Sequence, residues 1–445
     1  MPVQRQIRNS ICAFIATTVF FAGSAAPAAE PADWTRANLP PLLQLYRHLH
    51  QHPELSFAEQ QTASRLADEL RKTGATVTTK LGGHGVVGLL KNGAGPTLML
   101  RCDMDGLPVE EKTELVYASK VRVRDASGTE VGVMHACGHD IHMTNLVGVA
   151  QYLHQNRDLW RGSAMLVCQP AEERGAGAKA MLDDGLFQRF PKPDFALAMH
   201  VDSELATGKV GYRPGYACAN VDTVTITMVG RGGHGAQPHT TIDPVVMAAQ
   251  LVLDLQTIVS REIKPTDPAV VTVGTIHGGT KSNIIGDKCQ LQLTVRSYSD
   301  EVRDHLAKAI RRKALAVAEG AGATPPLVEY RRGTPSLRND DKLVGRVLKA
   351  FQRQLGAENV VFSEPTMGGE DFSRYGRAGV PIFMYRVGSV SPKRLAGWAR
   401  IEQRPPSLHS AVYYPDAEQT LQTSVSVMAA AAVELLKPAA QTAPK

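Results

Sequence analysis

From Leu42 to about Tyr212, apolar positions switch repeatedly between two spacings. Stretches such as "FAEQQTASRLADELRKTG", "IHMTNLVGVAQYLHQ" and "AGAKAMLDDGLF" carry the period of a helix with a buried face. Between them lie short runs, "TLMLRCD", "SAMLVCQP" and "FALAMHV", that are apolar almost throughout and read as buried strands. This alternation predicts an α/β domain with a mixed, largely parallel sheet. From Asp222 the order changes. Strand "DTVTITMVG", helix "DPVVMAAQLVLDLQTIVSRE", strands "AVVTVGTIHG" and "CQLQLTVRS", helix "EVRDHLAKAIRRKALAVAEG" and strand "PLVEYRRG" follow in turn. That β-α-β-β-α-β order predicts a ferredoxin-like α+β sandwich. After "GTPSL" the first pattern resumes with helix "KLVGRVLKAFQRQLG", strand "PIFMYRVGS" and helix "AEQTLQTSVSVMAAAAVELLK". One α/β domain, residues 38–213 and 332–437, is therefore expected to be interrupted by a second unit over 214–331. A disordered tail is expected over 438–445.

The length of 445 residues, 43% hydrophobic and 21% charged, suits two globular domains with ample core. The start differs from the rest. Arg5 and Arg8 precede the apolar run "ICAFIATTVFFAG" and then "SAAPAAE", which describes a secretory signal over residues 1–29, cut near Ala28 or Ala29. The run is short for a bilayer span, so an uncleaved anchor is the lesser alternative. The expected product is exported, periplasmic or secreted, and not held in a membrane. A formal charge of +6 adds little, because the densest basic group, Arg311 to Lys313, lies on a helical pattern without interleaved aromatics. Nucleic acid is not an expected partner. Of six cysteines, Cys12 leaves with the signal. An odd, widely spaced remainder is no disulfide framework, and Cys168 and Cys289 sit in strand-like runs as core thiols.

Cys137 is different. "GVMHACGHDIHM", Gly132 to Met143, gathers three histidines, a cysteine and an aspartate. In an extended segment His135, Cys137 and His139 share one face, a spacing suited to metal, while Asp140 is placed to cap the helix that follows. Thiolate with imidazole favours zinc or a similar borderline ion. Further donors are expected near the ends of predicted strands: Asp103 and Asp105, Glu172 and Glu173, His200, and His409 before the last helix. Adjacent glutamates in a non-helical turn diverge, so one can bind metal while its neighbour faces water. A metal lowers the pKa of water to roughly 7, and an unbound carboxylate can take that proton and pass it to a leaving nitrogen.

The segments "RCDMDGLP", "GVMHACGHDIH", "QPAEERGAGAKAM", "AMHVD", "GRGGHGAQPH", "GGEDFSRY" and "LHSAVYYPDA" together resemble the two-metal amidohydrolase/carboxypeptidase family. That family includes hippurate hydrolases, auxin-conjugate hydrolases and N-acetyl-diaminopimelate deacetylases, and the resemblance spans Leu42 to Leu436. It implies a zinc-peptidase-like α/β domain with an inserted lid that also dimerises. It implies Cys137 as a bridging thiolate, with His139, Glu173, His200 and His409 completing the ligands of two divalent ions: zinc, with manganese, cobalt or nickel as alternatives. It further implies Glu172 as general acid/base, Asp105 as a carboxylate orienting a metal ligand, and His234 reaching the partner's active site to stabilise an oxyanion. Asn283 and Arg296 resemble positions that hold the substrate's carboxylate or scissile carbonyl, although Arg296 also fits a surface salt bridge. His135 and His142 are expected to support the cluster by hydrogen bonding. Ile141 and Met143 replace the family's frequent Gly and Thr and are expected to thicken the apolar wall beside the site.

The expected activity is hydrolysis of the amide of a small N-acyl amino acid. A carboxypeptidase-like dipeptidase on the same site is the alternative, and a non-hydrolytic metal- or ligand-binding protein is the alternative of another class.

Overall fold

The apolar runs build an eight-stranded mixed sheet in a computed structural model that describes residues 1–2, 29–125 and 127–437. The expected signal lies almost wholly, and the expected tail wholly, outside those residues. Four strands run parallel at the sheet's centre, in the order Gly162–Gln169, Thr97–Asp103, Phe195–Ala206 and Ile382–Val390. Antiparallel neighbours flank them on both sides. These central strands are apolar on both faces because both faces are covered. Leu98, Leu100 and Cys102 pack into one core cluster, and Met99 into another. The helices Pro31–Gln51, His139–Gln155 and Ala417–Leu435 close over the first face.

The interrupting segment forms a separate four-stranded antiparallel sheet, ordered Ala269–Gly278, Lys288–Ser297, Asn220–Val229, Leu327–Arg332. Here one face is buried and the other wet. Val224, Ile226 and Met228 pack against the helices Pro244–Thr257 and Asp300–Gly320, and the alternate residues stay outside.

Two elements differ from expectation. Phe195–Ala206 continues five residues past the run "FALAMHV", so His200 lies in the middle of a strand and not near its end. The strand continues because it stays paired with Ile382–Val390 as far as Ala206, across a bulge. Asp140 sits inside the helix His139–Gln155, whose N-cap is Gly138. Its carboxylate accepts from the Ile141 N–H at 2.8 Å and bonds the buried His50 Nδ1 at 2.7 Å.

Candidate metal centre and active site

The carboxyl ends of the central strands open on a cavity of about 480 Å³, lined among others by Cys137, Glu172, Glu173, His200 and His409. Gly138 turns the chain between Cys137 and His139 with φ +76°, and a Cβ there would meet Val201 Cγ2 at 2.6 Å. Only glycine combines that left-handed backbone with that close approach. His409 reaches the same place on a strained φ of +69°, held by its N–H donating to the Ala136 carbonyl at 2.9 Å.

Two donor groups share Cys137. His139 and His200 stand on one side and Glu173 and His409 on the other, with the donor atoms of each group within 4.8 Å of one another. The thiol lies 3.2 Å from His409 Nε2 and 3.5 Å from His200 Nε2. His139 Nδ1–H donates to the Asp105 carbonyl and His200 Nδ1–H to the Val201 carbonyl, both at 2.8 Å. Each bond fixes the tautomer and leaves the lone pair of Nε2 facing the cluster. His139 Nε2 and Glu173 Oε1 are buried with no hydrogen-bond partner among the described residues. Buried polar atoms are rarely left so, and this donor set fits divalent cations.

Asp105 meets His139 Nδ1 twice: its main-chain oxygen makes the short bond, and its carboxylate is 3.5 Å from the same nitrogen. The carboxylate also accepts from the N–H groups of Glu172 and Glu173, at 3.1 and 3.0 Å, and from the Ser56 hydroxyl at 2.6 Å. It fastens the turn that presents the glutamate pair. Glu59 secures the preceding residue, accepting from the N–H of Ala171, itself at φ +50°.

Glu173 joins the Cys137 group, whereas Glu172 also approaches Glu370 and Asp371. Burial first, then Glu370 and Glu173, push the Glu172 carboxyl well above its usual range. Beneath it lies Arg101, almost wholly buried. Arg101 donates to Asp103 at 2.7 Å, Glu370 at 3.0 Å and Asp371 at 3.1 Å. Asp103, which the sequence left without a task, links Arg101 to His142 Nδ1 at 2.6 Å. His142 Nε2 in turn accepts from the Val201 N–H beside His200. Arg101→Met strands three buried carboxylates, and is expected to lower unfolding stability by about 3–5 kcal/mol in denaturant titration. A change below about 1 kcal/mol would mean the network carries no structural weight.

Other expectations fare unevenly. Arg296 lines the cavity. His234 and Asn283 do not: His234 lies on a short exposed strand paired with Ile284–Ile285, and Asn283 precedes that partner strand, its carbonyl accepting from the Gly235 N–H at 2.8 Å. His142 supports the cluster by hydrogen bonding as expected, but neither ring nitrogen of buried His135 has a partner among the described residues. Ile141 and Met143 are fully buried in the core beneath the site and thicken no cavity wall. Arg101, Glu370, Asp371 and Arg386 were not singled out. The motifs "RCDMDGLP" and "GGEDFSRY" contain the first three, with no role attached to them.

A parallel sheet delivering a Cys/His/Glu donor set to its carboxyl edge, with a spare carboxylate beside it, defines the class: a metal-dependent hydrolase on an α/β scaffold. The pattern of peptidase family M20/M25/M40 matches residues 99–399, and the chain belongs to that family. It is similar to thermostable carboxypeptidase 1 of Saccharolobus solfataricus, at 38% identity over 78% of this chain and 84% of that protein. It is equally similar, at 38% over 75% and 77%, to the N-acetyl-L-cysteine deacetylase of Bacillus subtilis. Its fold matches the crystal structure of the Bacillus subtilis YXEP protein, a dinuclear metal-binding peptidase of the M20 family. That match has a TM-score of 0.75 and 30% identity, covering 90% of this chain and 99% of the other. The chain is a metal-dependent amide hydrolase of that family.

Proposed function

We propose that this enzyme hydrolyses the amide bond of N-acyl amino acids, using two divalent ions held by Cys137, His139, Glu173, His200 and His409, with Glu172 as the proton carrier. The observation that carries the reading is the pair of donor groups sharing one thiol, with the Glu172 carboxylate outside both of them yet within 4.8 Å of the His139 and Glu173 donor atoms. When bound, divalent cations supply Lewis acidity to the scissile carbonyl and bring the pKa of water to roughly 7. Glu172, fixed through its main chain by Asp105, takes the proton of the attacking water and returns it to the leaving nitrogen. Glu172 starts as a base in this reading, since positive charge held by the neighbouring donors would oppose the rise in its pKa. Arg296 holds the substrate carboxylate across the cavity. Zinc suits the thiolate and imidazoles, and manganese, cobalt or nickel are the alternatives. Metal-loaded protein is expected to turn over N-acyl amino acids in preference to dipeptides. Faster dipeptide cleavage would make the carboxypeptidase alternative the right one, and no cleavage of either would overturn the proposal.

Two chains form the working unit in this reading. Strand Ala269–Gly278 is a sheet edge, and Ile276 on it with Val246 and Leu253 on the adjacent helix are exposed apolar residues suited to a second copy. His234, remote from its own cavity, then serves the partner's as an oxyanion donor, with Asn283 beside it. Light scattering is expected to give twice the chain mass. Mixed dimers of His234→Ala and Glu172→Gln chains should recover activity that neither parent has, since one site keeps both residues. No recovery in verified mixed dimers would place His234 elsewhere. Export follows from the basic, apolar and small-residue order of the first 29 residues. A processed N-terminus near Ala28 or Ala29 is the expected result of sequencing the mature chain; an intact one would contradict it.

A further inference from the structure

Two arginines face the cavity from different units. Arg296 projects from the antiparallel sheet, and Arg386 from the central strand Ile382–Val390. Arg386 is the register partner of His200 on the neighbouring parallel strand. Met384, two positions earlier, lines the same cavity, as the period of a strand requires. Arg386 is half-buried, and its side-chain hydrogen bond is a long one, from Nη2 to the Cys218 sulfur at 3.9 Å. No carboxylate oxygen among the described residues comes within 4.0 Å of it. Arg101 offers the contrast, since that structural cation is met by three carboxylates.

A guanidinium presents five donors in a planar fork shaped for a carboxylate, and withdrawing it from water unpaired is unfavourable. On the wall of a substrate cavity, the missing anion is one that the substrate brings. We propose that Arg386 binds a second substrate carboxylate, so that the preferred substrates are N-acyl amino acids bearing two carboxylates, one for Arg296 and one for Arg386. The assignment rests on the amidohydrolase reading above and narrows it. Glu172, Glu173 and Glu370 line the same cavity and disfavour a dianion; Arg386, Arg296 and Arg174 oppose them there. The second carboxylate comes either from an acidic amino-acid side chain or from a dicarboxylic acyl group.

The test compares kcat/KM of the metal-loaded enzyme on two matched pairs. N-acetylglutamate against N-acetylglutamine probes the side chain, and N-succinylalanine against N-butyrylalanine probes the acyl group. At least one pair is expected to favour the dicarboxylate by about tenfold to a hundredfold, mainly through KM, as charge-assisted hydrogen bonds do. In Arg386→Met that ratio should fall to about one, while Arg386→Lys, which keeps the charge, should retain part of it. Competitive inhibition supplies a readout that does not rest on turnover of these amides. Glutarate should inhibit the wild type more strongly than butyrate and lose that advantage in Arg386→Met. If Arg386→Met does not fold, the wild-type ratios and Arg386→Lys still decide. Ratios near one in both wild-type pairs, or a preference that survives in Arg386→Met, overturn the assignment and leave the amidohydrolase reading standing. Absence of turnover on all four amides overturns both.

Discussion

Glu172→Gln is expected to keep its fold and metal content while kcat falls by roughly 10²- to 10⁴-fold, the range associated with losing a positioned general acid/base. The amide preserves size and leaves untouched the two main-chain bonds by which Asp105 holds the turn. What disappears is the carboxylate beside the metal donors. KM should change little, because the residue touches the water and the leaving nitrogen more than the bound ground state. Unchanged metal content measured by elemental analysis, with near wild-type turnover, would remove Glu172 from the reaction.

Cys137→Ser is expected to act earlier, on metal binding itself. Cys137 is the donor common to both groups, so its loss weakens both sites together. An affinity loss on the order of a hundredfold or more is expected, since even the partners of ligands contribute 10–100-fold. The wild type should also bind more tightly as pH rises. Burial, then Glu173, hold the Cys137 thiol well above its usual pKa, and burial pushes Glu173 to about 7. Ligation requires both groups deprotonated, so binding releases protons and is opposed at low pH. Calorimetry in buffers of different ionisation enthalpy should show fewer protons released by Cys137→Ser. An affinity and proton count equal to wild type would mean that the thiol is not a ligand.

Much of this was readable along the chain because each strand is short, apolar and followed by its chemistry. "TLMLRCD", "SAMLVCQP" and "FALAMHV" gave the strands, and the residues on or after them gave Asp103, Glu172, Glu173 and His200. What could not be read was three-dimensional pairing. Arg101 lies in an apolar strand and shows no sign of the Glu370–Asp371 pair, some 270 positions away, that satisfies it. Asp105 reads as a side-chain support for a ligand; that its carbonyl also holds His139 and its carboxylate also ties the glutamate turn depends on the folded backbone. Arg386 reads as one charge in a β-run; its place beside His200 depends on which strands become neighbours. Ile141 and Met143 were assigned to a wall because they follow the donor loop. The helix beginning at His139 turns them into the core instead.

Anomalous diffraction from crystals of the manganese-loaded enzyme tests the central claim most directly. The account predicts two peaks flanking the Cys137 Sγ, one contacted by His139 or His200 and the other by Glu173 or His409, with the Glu172 carboxylate bound to neither. A single peak, or Glu172 found ligating either ion, would contradict it.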